Sequence, residues 1–236
     1  MKKLSKHQNE SIRKYFEFKR MHPEYFKKRK FRKIITETEV LKNFAIEHDV
    51  AIGLSAETPY FYLVTDLVQG AGQNSQTITY PYLRLIYKNQ LNGVNGVVIL
   101  GTIENEKLGV PGSIVFVQQE RHATGKSHLE LPRGFCEKGM SREENARREL
   151  LEETGFIGEK SKLIGTTYSD TGLTDNKVSF YHISITDQSS FDPEVEEAIS
   201  EVKIMKKKET MDKITKGIIT DGFTIQALMF FDLAYK

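Results

Sequence analysis

Three carboxylates, Glu149, Glu152 and Glu153, crowd into one stretch, residues 131–157, which reads LPRGFCEKGMSREENARRELLEETGFI. At about 100° per residue they fall within about a 100° arc of a helix. Like charges at i,i+3 and i,i+4 repel one another, so a divalent cation is the natural reason to group them. Magnesium suits the set better than zinc. It prefers oxygen ligands, keeps several waters and binds through a few carboxylates together with substrate phosphates. The chemistry indicated is that of a magnesium-pyrophosphate site.

The helix that must carry these acids is well bounded. Ser141 with Glu144 forms a capping box, and Gly155 can take the left-handed conformation that ends a helix. Ala146, Leu150 and Leu151 supply the apolar side that holds it to a core. Around it, β-branched and aromatic runs predict strands at 51–54, 60–68, 77–87, 94–101, 113–119, 163–168, 178–185 and 202–205. The polar, glycine-bearing segment 70–76 predicts a hairpin connection. Helices are predicted over 5–20, from a Thr36–Glu39 capping box to His48, over 210–216 and over 224–235. The last is apolar on nearly all sides, which means either a deeply packed helix or one that meets another subunit in a homodimer.

With 34 basic and 32 acidic residues the formal net charge is +2, so no overall excess demands nucleic acid or an anionic membrane. The basic run at 26–33, which includes Phe26 and Phe31, reads as a solvated face rather than a nucleic-acid track, because nothing else in the chain offers a nucleic-acid motif. A single cysteine, Cys136, excludes an intramolecular disulfide, and residues 1–16 lack the apolar run of a secretory signal. The cytoplasm is the expected compartment. The apolar segment 223–234 is too short to span a bilayer.

Gly134, Arg148-Glu149-Leu150, Glu152-Glu153, Gly155 and Phe156 stand at the spacing of the Nudix box, and the chain resembles the hydrolases that share it. That resemblance implies an α/β fold, an α/β/α sandwich with a mixed sheet, over roughly 60–236. The expected division is an accessory N-terminal helical segment at 1–56 and a hydrolase domain at 57–236. Gln119, Arg121, Glu130-Leu131-Pro132 and the run 217–221 are similar to the ADP-ribose pyrophosphatase group. By that likeness the Arg133 carbonyl, Glu149 and Glu153 bind Mg²⁺, with Mn²⁺ as a substitute and Glu152 in support. Arg121, Arg133 and Arg148 are the substrate-binding candidates; a guanidinium at 133 could grip a diphosphate in bidentate fashion.

Related enzymes draw the general base from a loop after the box, which here offers Glu194, Glu196 and Glu197, with Glu196 or Glu197 favoured. The implied reaction is hydrolysis of a nucleoside diphosphate derivative, ADP-ribose to AMP and ribose 5-phosphate first among them, so the expected partner is a small nucleotide. Two positions depart from the pattern. Met140 stands where the box has its first glutamate, and Asn176, in the loop 169–176, stands where an acid is usual. Both would suit an alternative, a nucleotide-binding sensor with little turnover. A second alternative, an RNA-end hydrolase, would use the basic run at 27–33.

Overall fold

The structure, a computed structural model, describes residues 3–27, 30, 32–72, 76–189 and 198–236. It divides into two compact units: Met1–Leu91 with Asp170–Asn176, and Asn92–Ser169 with Lys177–Lys236. This differs from the expected division after residue 56. The strands that follow residue 56 pair with the N-terminal elements, so the boundary falls where that sheet is complete.

In the first unit, helix α1 (Lys6–Met21) begins at a Ser5–Gln8 capping box and buries Ile12, Tyr15 and Phe18 on one face. Helix α2 (Thr38–His48) follows a strand that the sequence did not announce, β1 (Arg32–Ile35). The expected Thr36–Glu39 box is absent. Glu37 is the N-cap, and its own carboxylate accepts from the Thr36 backbone N–H at 3.0 Å. The remaining strands are β2 (Gly53–Glu57), β3 (Phe61–Ala71) and β4 (Thr77–Tyr87), ahead of the one-turn helix α3 (Lys88–Leu91). β3 and β4 form a long antiparallel pair across the expected hairpin, while β1 and β2 both pair antiparallel with β3.

Tyr15, Phe18, Leu41, Ile52, Val64, Leu67 and Ile86 form the core of this unit. A buried polar group crosses it: the Tyr15 hydroxyl donates to Asp66 at 2.5 Å, and Arg84 pairs with the other oxygen of that carboxylate. Residues 170–176 belong here through hydrogen bonds from the Leu85 N–H to Leu173 O and from the Tyr82 hydroxyl to Gly172 O.

The second unit is built on β5 (Gly96–Ile103), every residue of which is buried. An apolar run of this kind is what a strand covered on both faces requires. β11 (Lys177–Ile185) lies parallel to it, and β10 (Ser161–Tyr168) pairs antiparallel with β11. On the other side come β6 (Ile114–Arg121) and β13 (Ile199–Met205); β7 (Lys126–Glu130) pairs with β6, and the three-residue β8 (Arg133–Phe135) pairs with β5. β9 (Phe156–Ile157) and β12 (Asp187–Gln188) make a small separate ladder.

Helix α4 (Arg142–Thr154) covers one face of this sheet, where Val97, Ile99, Val115, Ala146, Leu150 and Ile183 pack together. Helices α5 (Lys207–Thr215) and α6 (Gly222–Ala234) follow β13. α6 serves the other face, with Val98, Leu100, Phe116, Phe180, Ala227 and Leu228. The result is a mixed sheet between helices, the α/β/α arrangement that the resemblance implied.

Two helices differ from expectation in what they bury. Leu151 is exposed rather than part of the packed side of α4, and α6 is not buried all round, since Ile225, Met229 and Leu233 face outward. No helix among the described residues is long and apolar enough to cross a membrane.

Candidate active site

The acidic helix is fixed at both ends as its sequence required. The Ser141 hydroxyl accepts from the Glu144 N–H at 3.2 Å, and the Glu144 carboxylate accepts from the Ser141 N–H at 3.0 Å. At the far end Gly155 takes φ 71°, a left-handed conformation that a side chain would oppose.

Between these ends, Glu149 and Glu153 sit one turn apart and are only 5% and 2% exposed. They face strand β8, which packs against α4. A Cβ placed on Gly134 would lie 2.3–2.4 Å from the Glu149 carboxylate atoms, so only glycine lets that carboxylate lie against the strand. The next carboxylate is held by the chain itself: the Arg133 N–H donates to Glu153 Oε2 at 3.1 Å. Buried anions this close need compensation. Arg148 supplies part of it, donating to Glu149 at 2.7 Å and to Glu152 at 2.7 Å, with Glu137 at 3.3 Å. Burial works against the charge on Arg148, but Glu149 and then Glu152 outweigh it and raise its pKa.

Asn145, which the sequence reading passed over, is fully buried beside these groups. Its carbonyl oxygen accepts from the Glu137 N–H at 3.2 Å, and its amide N–H₂ donates to Glu149 Oε1 at 3.4 Å. Its signal in the sequence is a polar residue one turn before Glu149, on the side of the helix that Ala146 and Leu150 bury.

The three arginines expected to meet substrate are all engaged with carboxylates. Arg121 pairs with Glu130 at 2.7 Å. Arg133 pairs with Glu130 at 2.5 Å and with Asp221 at 3.0 Å, and its guanidinium lies over the Phe223 ring. Its fork is thus shared between two carboxylates. Arg148 is likewise occupied along α4.

Glu152 is separated from its neighbours. Its side chain is 43% exposed and tied to Arg148, and among the described residues no three His, Cys, Asp or Glu side chains converge as a metal cluster. Glu194, Glu196 and Glu197 lie outside the described residues. Met140 is half-buried, with its N–H donating to Glu137 O at 3.2 Å. Cys136 is buried, which pushes its thiol pKa up, as befits a packed side chain. Asn176 is in the first unit, where it accepts from the Gln90 side chain at 3.1 Å.

The chain is similar to known proteins in sequence and in fold. The sequence model of the NUDIX domain matches residues 95–221. An ADP-ribose pyrophosphatase of Bacillus subtilis (strain 168) is 29% identical over 126 residues, which cover 52% of this chain and 66% of that protein. An ADP-sugar pyrophosphatase of Mus musculus is 42% identical over 62 residues, covering 26% of this chain and 28% of that protein. The chain thus spans less than two thirds of the length of these curated relatives. A crystal structure of an ADP compounds hydrolase superposes with a TM-score of 0.58 at 17% identity, over 76% of this chain and 88% of that one, a likeness of fold. More than half of the chain lies within the match, and it covers the strand, glycine and helix that bring Glu149 and Glu153 together: the chain belongs to the NUDIX domain family.

Proposed function

We propose that this protein is a Mg²⁺-dependent hydrolase of the pyrophosphate bond in a nucleoside diphosphate derivative, with ADP-ribose, cleaved to AMP and ribose 5-phosphate, as the favoured substrate. The observation that carries the reading is the burial of Glu149 and Glu153 against a strand where Gly134 alone leaves room for a carboxylate. Relatives named as ADP-ribose and ADP-sugar pyrophosphatases support the substrate class.

The donor set fits a hard cation. Glu149, Glu153 and the main-chain carbonyl of Arg133 offer oxygen alone, the chemistry that magnesium prefers over softer metals. When bound, Mg²⁺ neutralises phosphate oxygens and lowers the pKa of a water that attacks phosphorus. The chain's own part is to hold the donors. Asn145 and Arg148 fix the Glu149 rotamer, and the Arg133 N–H orients Glu153. Glu152, the member of the acidic set that reaches solvent, is the supporting carboxylate, and Glu196 or Glu197 is the proposed base for the water's proton.

Glu149→Gln and Glu153→Gln test the assignment. Each keeps the side-chain shape and removes the charge, and each is expected to cut hydrolysis by more than about 100-fold, as when several kcal/mol of transition-state stabilisation is lost. A substrate panel with Mg²⁺ or Mn²⁺, with products identified by mass in H₂¹⁸O, should give AMP and ribose 5-phosphate with one labelled oxygen in one of them. Near-wild-type turnover in both variants would remove the assignment.

A further inference from the structure

The residues that face the proposed metal donors are fastened to a helix on the opposite face of the sheet. Asp221, the N-cap of α6, divides its two oxygens between two tasks. Oδ2 accepts from the Thr224 N–H at 2.8 Å and so caps the helix; Oδ1 accepts from Arg133 Nη1 at 3.0 Å. The Thr224 hydroxyl in turn accepts from the buried Leu131 N–H at 3.0 Å. Arg133 is gripped on its other nitrogen by Glu130, which is 1% exposed. Residues 131 and 133, on either side of Pro132, are thus bolted to the first turn of α6 and to a buried carboxylate.

This matters because β8 is short. With three residues and a ladder to β5 alone, it has little of its own to fix its position. Yet its first residue is the one whose N–H orients Glu153. An arginine's rigid planar fork can hold two carboxylates in fixed directions, a geometry that lysine's compact, rotatable ammonium does not impose. Arg133 is placed to transmit the position of α6 to the backbone opposite Glu153.

We infer that Asp221 and Glu130 are positioning residues that act through Arg133 to set the strand facing Glu153, so that the C-terminal helix is part of the metal-binding apparatus. The inference rests on the metal-dependent reading above. It also gives Arg133 a role different from contact with the diphosphate: its guanidinium is the bolt and its backbone the contact.

The test uses Mn²⁺ binding to the full chain, followed by electron paramagnetic resonance without substrate. Asn caps a helix about as well as Asp, so Asp221→Asn keeps the start of α6 while removing the charged partner of Arg133. Loss of an outer partner of a metal site weakens binding by about tenfold or more, and that is the expected change in Mn²⁺ affinity. In an Arg133→Met background the same substitution should add little, the non-additivity expected of residues acting through one another. A role confined to capping would give the same change in both backgrounds.

Unchanged Mn²⁺ affinity in Asp221→Asn, or an equal loss in both backgrounds, would overturn the inference. If Asp221→Asn does not fold, Arg133→Lys carries the same test: weakened Mn²⁺ binding supports the inference and wild-type binding overturns it. Absence of Mn²⁺ binding by the wild-type chain would instead sink the metal-dependent reading itself, a result distinguishable from both.

Discussion

Arg148 stands among Glu137, Glu149 and Glu152, in a box whose position 140 is a methionine. Two acids near Met140 in sequence could supply the missing charge. The Glu144 carboxylate is used in the capping box, whereas Glu137 reaches Arg148, at 3.3 Å. Its side chain is 59% exposed, and an ion pair of that kind contributes roughly 0.2–1 kcal/mol. Glu137→Gln should therefore raise the Mg²⁺ concentration for half-maximal hydrolysis by only about two- to fivefold, and Met140→Glu should reverse the change. A Mg²⁺ titration of the three proteins decides it: no effect of either substitution would show that position 140 and its neighbour are irrelevant to the site.

The residues around this arginine also show what a sequence can disclose. Glu149, Glu153 and Gly134 were legible from their spacing, the two acids on one arc of a helix and the glycine at its place in the box. Asn145, and the pairing of Arg133 with Glu130 and Asp221, were not. An ordinary Asn or Asp gains its role only from what folding sets beside it, and Asp221 meets Arg133 across 88 residues of chain.

At the level of elements, capping chemistry proved readable where a side chain had one sensible partner. Ser141 with Glu144 predicted the start of α4, and Gly155 its end. Thr36 with Glu39 matched the same pattern, yet Glu37 became the cap because Arg32–Ile35 entered the sheet and drew the chain extended up to that point. Short strands such as β1 and β8 carry too few residues for an alternation to stand out, and their pairing comes from tertiary context. For α4 the cap has a measurable weight. Ser141→Ala removes the acceptor for the Glu144 N–H, and should lower stability by about 1 kcal/mol in urea unfolding. A loss indistinguishable from zero would mean that packing of Ala146 and Leu150 alone holds the first turn.

Across the whole molecule, the α/β/α class was legible through the resemblance that the box residues carry, whereas the division of the chain was not. The Asn-Gly pairs at 92–93 and 95–96 mark a turn like any other; the boundary there is created by pairing, since β4 completes the first sheet and β5 begins the second. The second unit also contains a titrating group that bears on its stability. His182 on β11 is buried, with Nε2 2.8 Å from the Thr102 hydroxyl and Nδ1 2.6 Å from the Tyr235 hydroxyl beyond α6. Burial lowers its pKa to about 4. The unfolded chain takes up the proton first, near pH 6.5, so this group's contribution is intact above that pH and declines as pH falls toward 4. Between pH 7 and 4.5 the loss should reach up to about 2.5 kcal/mol. Urea unfolding at the two pH values, compared with His182→Gln, isolates it; equal losses in both proteins would assign the acid sensitivity to other groups.

The return of Asp170–Asn176 to the first unit has a bearing on how the protein is made. Chains leave the ribosome N-terminus first, and N-terminal domains generally fold first as synthesis proceeds. Here residues 1–91 are made before the segment that supplies Leu173 O to the Leu85 N–H and Gly172 O to the Tyr82 hydroxyl. During translation of residues 92–169, β4 must wait with those groups exposed to water or to a chaperone. The N-terminal unit therefore begins first but can be completed only after most of the sheet of the second unit has been synthesised.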